Sequence, residues 1–417
     1  MILAVSTVST ILYSIIVFLL VILILVGILL FARDKLAPKG QVKLNINDRD
    51  IEVSRGSSLL STLSGNGIFL PSACGGGGTC GMCKCQITEG GGSILPTETG
   101  FFTRKEQHNH WRLGCQVKIR ENLTIKVPET VMGIKKWECE VVSNNNVATF
   151  IKEFVVKLPD GESLDFIPGG YIQIDVPKYD TVFKDFSVEV QFRSDWDKFK
   201  MWDLRVNNKE ETYRAYSMAN YPAERNIIKL NIRIATPPWD SEKKQFMNVS
   251  PGLCSSYIFS RKAGDKVVVS GPYGEFHIKN TNSEMVYIGG GAGMAPLRSH
   301  IFHLFNTLKT ERKVSFWYGA RSLREVFYEK EFRAIEMRFP NFSFNLALSD
   351  ALPEDNWTGY TGFIHQVLLD NYLSKHEEPE DIEYYFCGPP QMNSAVIKTL
   401  DSLGVPEENI AFDDFGI

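Results

Sequence analysis

The sequence predicts a multidomain chain: one transmembrane helix at the amino terminus, a small β module around a cysteine loop, an antiparallel β-barrel, and a doubly wound α/β domain. Three observations predict it. An uncharged apolar run opens the chain, short strands with turn signals fill its middle, and a strand–glycine loop–helix unit begins a carboxy-terminal stretch of alternating strands and helices. At 417 residues there is room for two to three domains, each with its own core. A net charge of −4 gives no electrostatic reason to expect a nucleic-acid partner.

Residues 1–32 carry no charged side chain, and Ile11 to Ala32 is almost wholly apolar. A helix of that length spans roughly 33 Å, enough for a hydrocarbon core of about 30 Å. A cleaved signal peptide wants a basic start and a shorter apolar run. A buried core helix rarely needs so many consecutive Leu, Ile and Val. Arg33, Lys35, Lys39 and Lys43 all follow the span and no Lys or Arg precedes it, so the large carboxy-terminal portion is expected on the cytoplasmic side. Residues 33–40 read as a tether.

The next segment, 41–130, is organised around Cys74, Cys80 and Cys83, spaced C-x5-C-x2-C, with Cys115 downstream. Gly75 to Gly78 and Gly81 let a short loop curl at positive φ and leave backbone N–H groups free. Four thiolates suit a [2Fe–2S] cluster, whose plant-type spacing is one residue shorter in the first loop. A zinc site is the rival metal, but zinc knuckles pair two short Cys or His units and only one is here. Cys85 reads as a buried apolar thiol. Cys85, Cys139, Cys254 and Cys387 lack disulfide-framework spacing, which points to a reducing compartment. Around the loop, Gln41–Asn47 and Ile51–Val53 alternate as a hairpin, Ser58–Leu63 can form a helix, and Leu123 opens a last strand. This order resembles the β-grasp ferredoxin family, in its C-x5-C-x2-C branch.

Residues 131–281 show strands at Glu138–Val142, Phe150–Leu158 and Tyr171–Val176, the pattern of an antiparallel barrel. Within it, Arg214-Ala-Tyr216-Ser217, with Asn220 close behind, is similar to the flavin motif R-x-Y-S of the ferredoxin–NADP reductase superfamily. Arg214 offers a guanidinium fork to a diphosphate, and alternation puts Tyr216 on the same strand face. The resemblance implies that Tyr216 lies on the isoalloxazine of FAD and Ser217 near its N5. Gly252, Cys254, Ser255 and Ser256 resemble the superfamily's turn for the flavin phosphate, a helix start suited to an anion. Gly271-Pro-Tyr-Gly274 resembles its barrel-closing G-P-x-G. Read alone, each motif could be an ordinary strand or a Ser-capped helix. The 178–211 insertion, charged and aromatic, reads as partner-facing surface or a solvated excursion, and composition assigns no function to 237–249.

Residues 282–417 begin with strand, glycines and helix, and Leu297, Ile301, Leu304 and Leu308 then mark one helical face. Gly290, Gly291, Gly293 and Pro296 are similar to the superfamily's pyridine-nucleotide loop, G-G-G-x-G-x-x-P. Arg321 ends a later strand, where ligands bind in doubly wound sheets. Cys387 and Gly388 resemble the C-G-P-P motif that lines the nicotinamide pocket, and Phe415 resembles tail aromatics that cover the flavin. Arg321 and Arg324 could hold the extra phosphate of NADPH, whereas Glu325 and Ser349-Asp350 argue against it. The resemblance favours NADH.

Over its length the chain resembles the F subunits of sodium-translocating NADH:quinone oxidoreductases. That resemblance implies an enzyme carrying FAD and a [2Fe–2S] cluster, fed by NADH and anchored as a single-pass protein in the bacterial inner membrane. It implies electrons passed on to the other membrane subunits of a sodium-pumping complex, and through those partners to quinone. The helix itself holds no intramembrane carboxylate and offers no ion path. A soluble reductase feeding an oxygenase shares the modules but lacks the anchor. A membrane-tethered redox sensor has no need of three nucleotide motifs.

Overall fold

The amino-terminal helix α1, Ile2–Leu36, begins earlier and ends later than the apolar run that predicts it. Within it, Ile11–Phe31 has a mean hydropathy of 3.5 and exposes its Leu, Ile, Val and Phe side chains on every side, the composition of a membrane span. The computed structural model describes residues 2–36 and 40–414, with side chains for 11–31 and 40–414. The chain divides into two units, 1–70 with 83–129 and 71–82 with 130–417.

In the first unit β1 (Gln41–Ile46) and β2 (Arg49–Ser54) form the expected hairpin. Asn47 and Asp48 both take positive φ in its two-residue turn, which suits the twist of the flanking strands. Helix α2 (Leu59–Gly65) buries Leu59, Leu60 and Leu63, and Ser58 caps it by accepting from Ser61 N–H at 3.2 Å. Strand β3 (Lys84–Glu89), helix α3 (Arg104–His108), strands β4 (Trp111–Leu113) and β5 (Leu123–Lys126) complete the order β2-β1-β5-β3-β4, with β5 parallel to β1. A buried ion pair pins β4 to the loop that follows β3. Arg112 Nη2 lies 2.8 Å from Glu98 Oε2 and its Nη1 donates to the carbonyls of Gly91 and Gly92, while Glu98 Oε1 accepts from Leu113 N–H at 2.9 Å. Every charge in that knot is hydrogen-bonded, which is the condition for burying it.

After a short helix α4 (Glu129–Met132), the second unit builds its barrel from β6 (Lys135–Ala148), β7 (Ile151–Lys157), β8 (Tyr171–Val176), β11 (Thr212–Ser217), β12 (Ile227–Arg233) and β15 (Lys266–Tyr273). All pairings are antiparallel, in the order β11-β8-β15-β6-β7-β12, and a Met218–Leu230 bridge joins the two ends. The 178–211 insertion is not a solvated excursion. It forms β9 (Tyr179–Val182), helix α5 (Arg193–Lys198) and β10 (Arg205–Asn208), and it sends Phe183, Phe186, Phe192 and Trp196 into the barrel core. Buried Lys152 fastens it, donating to Asn144 O at 2.8 Å and Ser187 O at 2.7 Å. The 237–249 insertion is a hairpin of β13 (Trp239–Asp240) and β14 (Gln245–Phe246), held by the Trp239–Phe246 edge contact. Helix α6 (Leu253–Phe259) buries most of its side chains against the barrel.

The remainder is a parallel sheet in the order β19-β18-β17-β16-β20-β21. Its strands are β16 (Met285–Gly290), β17 (Val314–Ala320), β18 (Phe342–Leu348), β19 (Tyr360–Thr361), β20 (Glu383–Cys387) and β21 (Ile410–Asp413). Helices α7 (Met294–Phe302) and α8 (Glu329–Arg338) contribute to the core on one face, α9 (Ile364–Asn371) and α10 (Pro390–Ser402) on the other, as double winding requires. One expectation fails locally. Leu297, Ile301 and Leu304 are buried as predicted, but Leu308 is 57% exposed. A π turn over His303–Leu308 follows α7 and shifts the phase, so the fourth leucine leaves the apolar face.

Candidate active site

Cys74 and Cys80 meet first. Their sulfurs are 3.3 Å apart, on a loop where Gly75, Gly76, Gly78 and Gly81 all take positive φ. Ser72, fully buried, accepts from Gly76 N–H at 3.1 Å and lies 3.9 Å from Cys74 Sγ. The Cys80 thiol donates to Cys74, and with the N–H groups of Thr79 and Cys80 it draws the Cys74 thiol down to about 3 against the effect of burial. Cys80 is pushed up in return. Sulfurs this close share one proton, so the pair is poised to exist as thiolate. In the other unit, β3–β4 pairing sets Lys84 against Leu113, and Gly114 N–H donates to Cys83 O at 2.8 Å, which brings the backbone at Cys83 next to that at Cys115. Among the described residues no three His, Cys, Asp or Glu side chains converge on a single ion point. Cys85 is buried, and burial pushes its thiol up to about 12, as suits an inert core sulfur.

The cysteine loop lies against the strand that carries the flavin motif. A Cβ on Gly75 would come within 2.5 Å of Arg214 Nη1, and Gln173 Nε2 donates to Ser72 O at 3.3 Å. Arg214 also donates to Tyr213 O at 2.8 Å. Tyr216 is half-buried and desolvation holds its phenol protonated. Ser217 Oγ donates to Asp413 Oδ2 at 2.7 Å. Asp413 stands opposite Cys387 in the β20–β21 ladder, so barrel and parallel sheet meet at these three residues. Burial raises the Asp413 carboxyl, and burial followed by Asp413 and Asp414 raises the Cys387 thiol. Asn220 proves to be scaffolding: its side chain donates to Ile227 O at 3.0 Å and accepts from Lys229 N–H at 2.9 Å.

Gly252 precedes α6, where Ser255 Oγ accepts from Ala235 N–H at 3.1 Å and burial pushes the Cys254 thiol up to about 11. Ser256 Oγ is buried with no hydrogen-bond partner among the described residues. A buried hydroxyl left over near the start of α6 is a donor that a phosphate group could satisfy.

A cavity of about 540 Å³ opens at the carboxyl ends of the parallel strands, walled by Gly290, Gly291, Arg321, Glu325, Ser349 and Phe363 among others. This is where a doubly wound sheet binds its ligand. Gly293 and Gly388 stand behind the wall: a Cβ on Gly293 would fall 2.0 Å from Cys387 O, and one on Gly388 would fall 2.3 Å from Met392 Cε. Pro296 is buried in the first turn of α7. Arg321 reaches Asp350 at 3.0 Å. Phe415 lies outside the described residues.

Residues 42–120 match the 2Fe-2S iron-sulfur cluster binding domain family, 196–278 the oxidoreductase FAD-binding domain family and 287–398 the oxidoreductase NAD-binding domain family. The F subunit of the Na(+)-translocating NADH-quinone reductase of Klebsiella pneumoniae is 55% identical over 409 residues, 97% of this chain and 99% of that one. Its counterpart in Pseudomonas aeruginosa is 56% identical over 397 residues, 95% of this chain and 96% of that one. This chain belongs to the family of these F subunits. It therefore carries [2Fe–2S], FAD and NAD domains behind one apolar amino-terminal helix. The solved ferredoxin reductase of carbazole 1,9a-dioxygenase, 24% identical with a TM-score of 0.58, covers 90% of this chain and 98% of its own, and shows the shared fold.

The donor chemistry fits these groups: a polarised thiol pair among glycine amides, an unsatisfied buried serine in α6, and glycines lining a cavity at the carboxyl ends of the strands. In this member of the F family two residues near the site had no sequence signal that stood out. Arg233, at the end of β12, lines the cavity, its proton affinity lowered by desolvation and partly restored by Glu325. Asp413 was visible only as part of an acidic tail.

Proposed function

We propose that this chain is the NADH-oxidising component of a sodium-pumping NADH:quinone reductase complex. It would hand electrons to other membrane subunits and through them to quinone. The observation that carries the reading is the Ser217–Asp413 hydrogen bond beside Cys387, because it joins the flavin strand of the barrel to the nicotinamide edge of the parallel sheet.

When bound, FAD accepts a hydride from NADH and releases its electrons singly, and a [2Fe–2S] cluster takes them one at a time. The residues divide the remaining work. Cys74, Cys80, Cys83 and Cys115 are the thiols that would hold a cluster. Arg214 holds the flavin diphosphate together with Gly252, Cys254, Ser255 and Ser256, over the scaffold that Asn220 pins. Tyr216 would lie on the ring system and Ser217 near its reactive edge, the hydroxyl oriented by its bond to Asp413. Cys387 and Gly388 position the nicotinamide without the thiol acting as a nucleophile, since burial keeps it protonated. Gly290, Gly291, Gly293, Pro296 and Arg321 would receive the dinucleotide diphosphate. The domains are 41–130, 131–281 and 282–417, behind a span at 11–32 and a linker at 33–40. Arg33, Lys35, Lys39 and Lys43 put the bulk of the chain on the cytoplasmic side of a bacterial inner membrane.

Anaerobic NADH titration of the full-length protein in detergent tests this. Flavin absorbance should bleach and an iron–sulfur EPR signal should develop. In Cys80→Ser the flavin should still bleach without that signal. A flavin band indifferent to NADH in the wild type would refute the assignment.

A further inference from the structure

The 178–211 insertion pairs through Asp195 with Arg324, the residue beside Glu325, and Glu325 lines the dinucleotide cavity. In doubly wound sheets the ribose end of a dinucleotide is read beside the strand next to the glycine loop, by a carboxylate for a free 2′-hydroxyl or an arginine for a 2′-phosphate. Here that neighbour is β17, and it runs into Arg321-Ser-Leu-Arg324-Glu325. Glu325 and Arg321 line the cavity. Both arginines are already engaged. Arg321 meets Asp350 at 3.0 Å, with both side chains largely exposed. Arg324 Nη1 meets Asp195 Oδ2 at 2.8 Å, both only about 30% exposed (30% and 28%), with Ser194 Oγ at 3.4 Å and Glu354 at 3.7 Å.

Asp195 is not a local partner. It sits on α5, and its neighbour Trp196 is fully buried and donates from Nε1 to Thr149 O at 2.8 Å. Thr149 also fixes Glu325: its N–H donates to Oε2 at 3.2 Å and its hydroxyl to Oε1. One backbone position thus holds both the helix that occupies Arg324 and the carboxylate that faces the cavity. Arg233 also lines the cavity, within electrostatic reach of Glu325 and Arg321.

We propose that Asp195 is a specificity-determining residue for the dinucleotide: by holding Arg324 it withholds a guanidinium from the ribose end and so favours NADH over NADPH. The inference rests on the assignment of this cavity to NADH. Asp195 acts through Arg324 and touches no cofactor, so it is a positioning residue.

The test compares wild type, Asp195→Asn and Asp195→Asn/Arg324→Gln as full-length, flavin-loaded proteins. Calorimetric titration with 2′,5′-ADP and with 5′-ADP reads the phosphate preference directly, and kcat/KM for NADPH over NADH reads it in turnover. D195N should raise both ratios about tenfold, through KM and not kcat, since a freed guanidinium recognises phosphate strongly. The double variant should fall back to the wild-type ratios. Unchanged ratios in folded D195N, or an equal rise in both variants, would overturn the proposal. Should D195N fold poorly, Asp195→Glu, which keeps the charge, must leave both ratios near wild type, and a tenfold rise in it would overturn the proposal as well. A wild type that binds neither ADP and ignores NADH would sink the NADH assignment itself, a separate result.

Discussion

The loop around Cys74 and Cys80 and the loop that ends β16 are both runs of glycine, and they need glycine for different reasons. In the cysteine loop the requirement is conformational: Gly75, Gly76, Gly78 and Gly81 have φ between +66° and +89°. In the β16 loop only Gly291 is left-handed, at +55°, whereas Gly289, Gly290 and Gly293 are short of room. A Cβ there would meet Leu297 Cδ1 at 2.9 Å, Met392 Sδ at 2.9 Å and Cys387 O at 2.0 Å respectively. One loop is glycine because of how the chain bends, the other because of what lies beside it. Composition reports both alike.

Substitutions can break that contrast, and the largest effect is expected at Gly293. A methyl there collides with backbone and not with a movable side chain, so Gly293→Ala should cost about 3 kcal/mol and abolish flavin reduction by NADH. Melting temperature and anaerobic bleaching measure the two parts. Close approach recurs where Gly169 packs under His300, whose Nε2 lies 3.1 Å from Pro168 O and 2.9 Å from Phe276 O. Burial, outweighing those two carbonyls, lowers this histidine from 6.5 to about 4. It is neutral in the fold and free to protonate when unfolded, so its contribution is complete above pH 6.5 and is lost as pH falls toward 4. The loss should be on the order of 3 kcal/mol, and His300→Gln should flatten that slope in a pH series of thermal melts.

In the cysteine loop the penalties are smaller and more selective. Gly78→Ala, at φ +76°, should cost about 1–2 kcal/mol of backbone strain. It should lower iron content per chain while FAD content stays at the wild-type value. Gly77 sharpens the point from the other side. It is not left-handed, and a Cβ would meet nothing nearer than Cys74 O at 3.5 Å. Gly77→Ala should therefore change stability by about 0.5 kcal/mol or less and leave iron content as it is. Equal losses in the two variants would show that the loop resists side chains of any kind.

Much of this was legible in the chain because it is local. The Asn47–Asp48 turn, the Ser58 cap, the cysteine spacing and the strand under Arg214 and Tyr216 each depend on a few neighbouring residues. What was illegible depends on residues far apart. The aromatics of 178–211 look like surface until the barrel core that receives them is known. Leu308 looks buried until a single π turn rotates it away. The Asn220 amide bonds to Ile227 and Lys229 of β12, seven and nine positions on, which its place behind the motif does not announce. Asp413 acquires meaning only 196 positions from Ser217 in sequence.

The last strand of the parallel sheet is bonded along one flank only, by a ladder of four residue pairs from Tyr384–Ile410 to Cys387–Asp413. A border strand of that kind peels without disturbing the strands inside it. Uncovering the ground between Ser217 and Cys387 therefore asks for the unzipping of one short seam, and amide protons in 410–413 should trade with solvent sooner than those of β16 or β17.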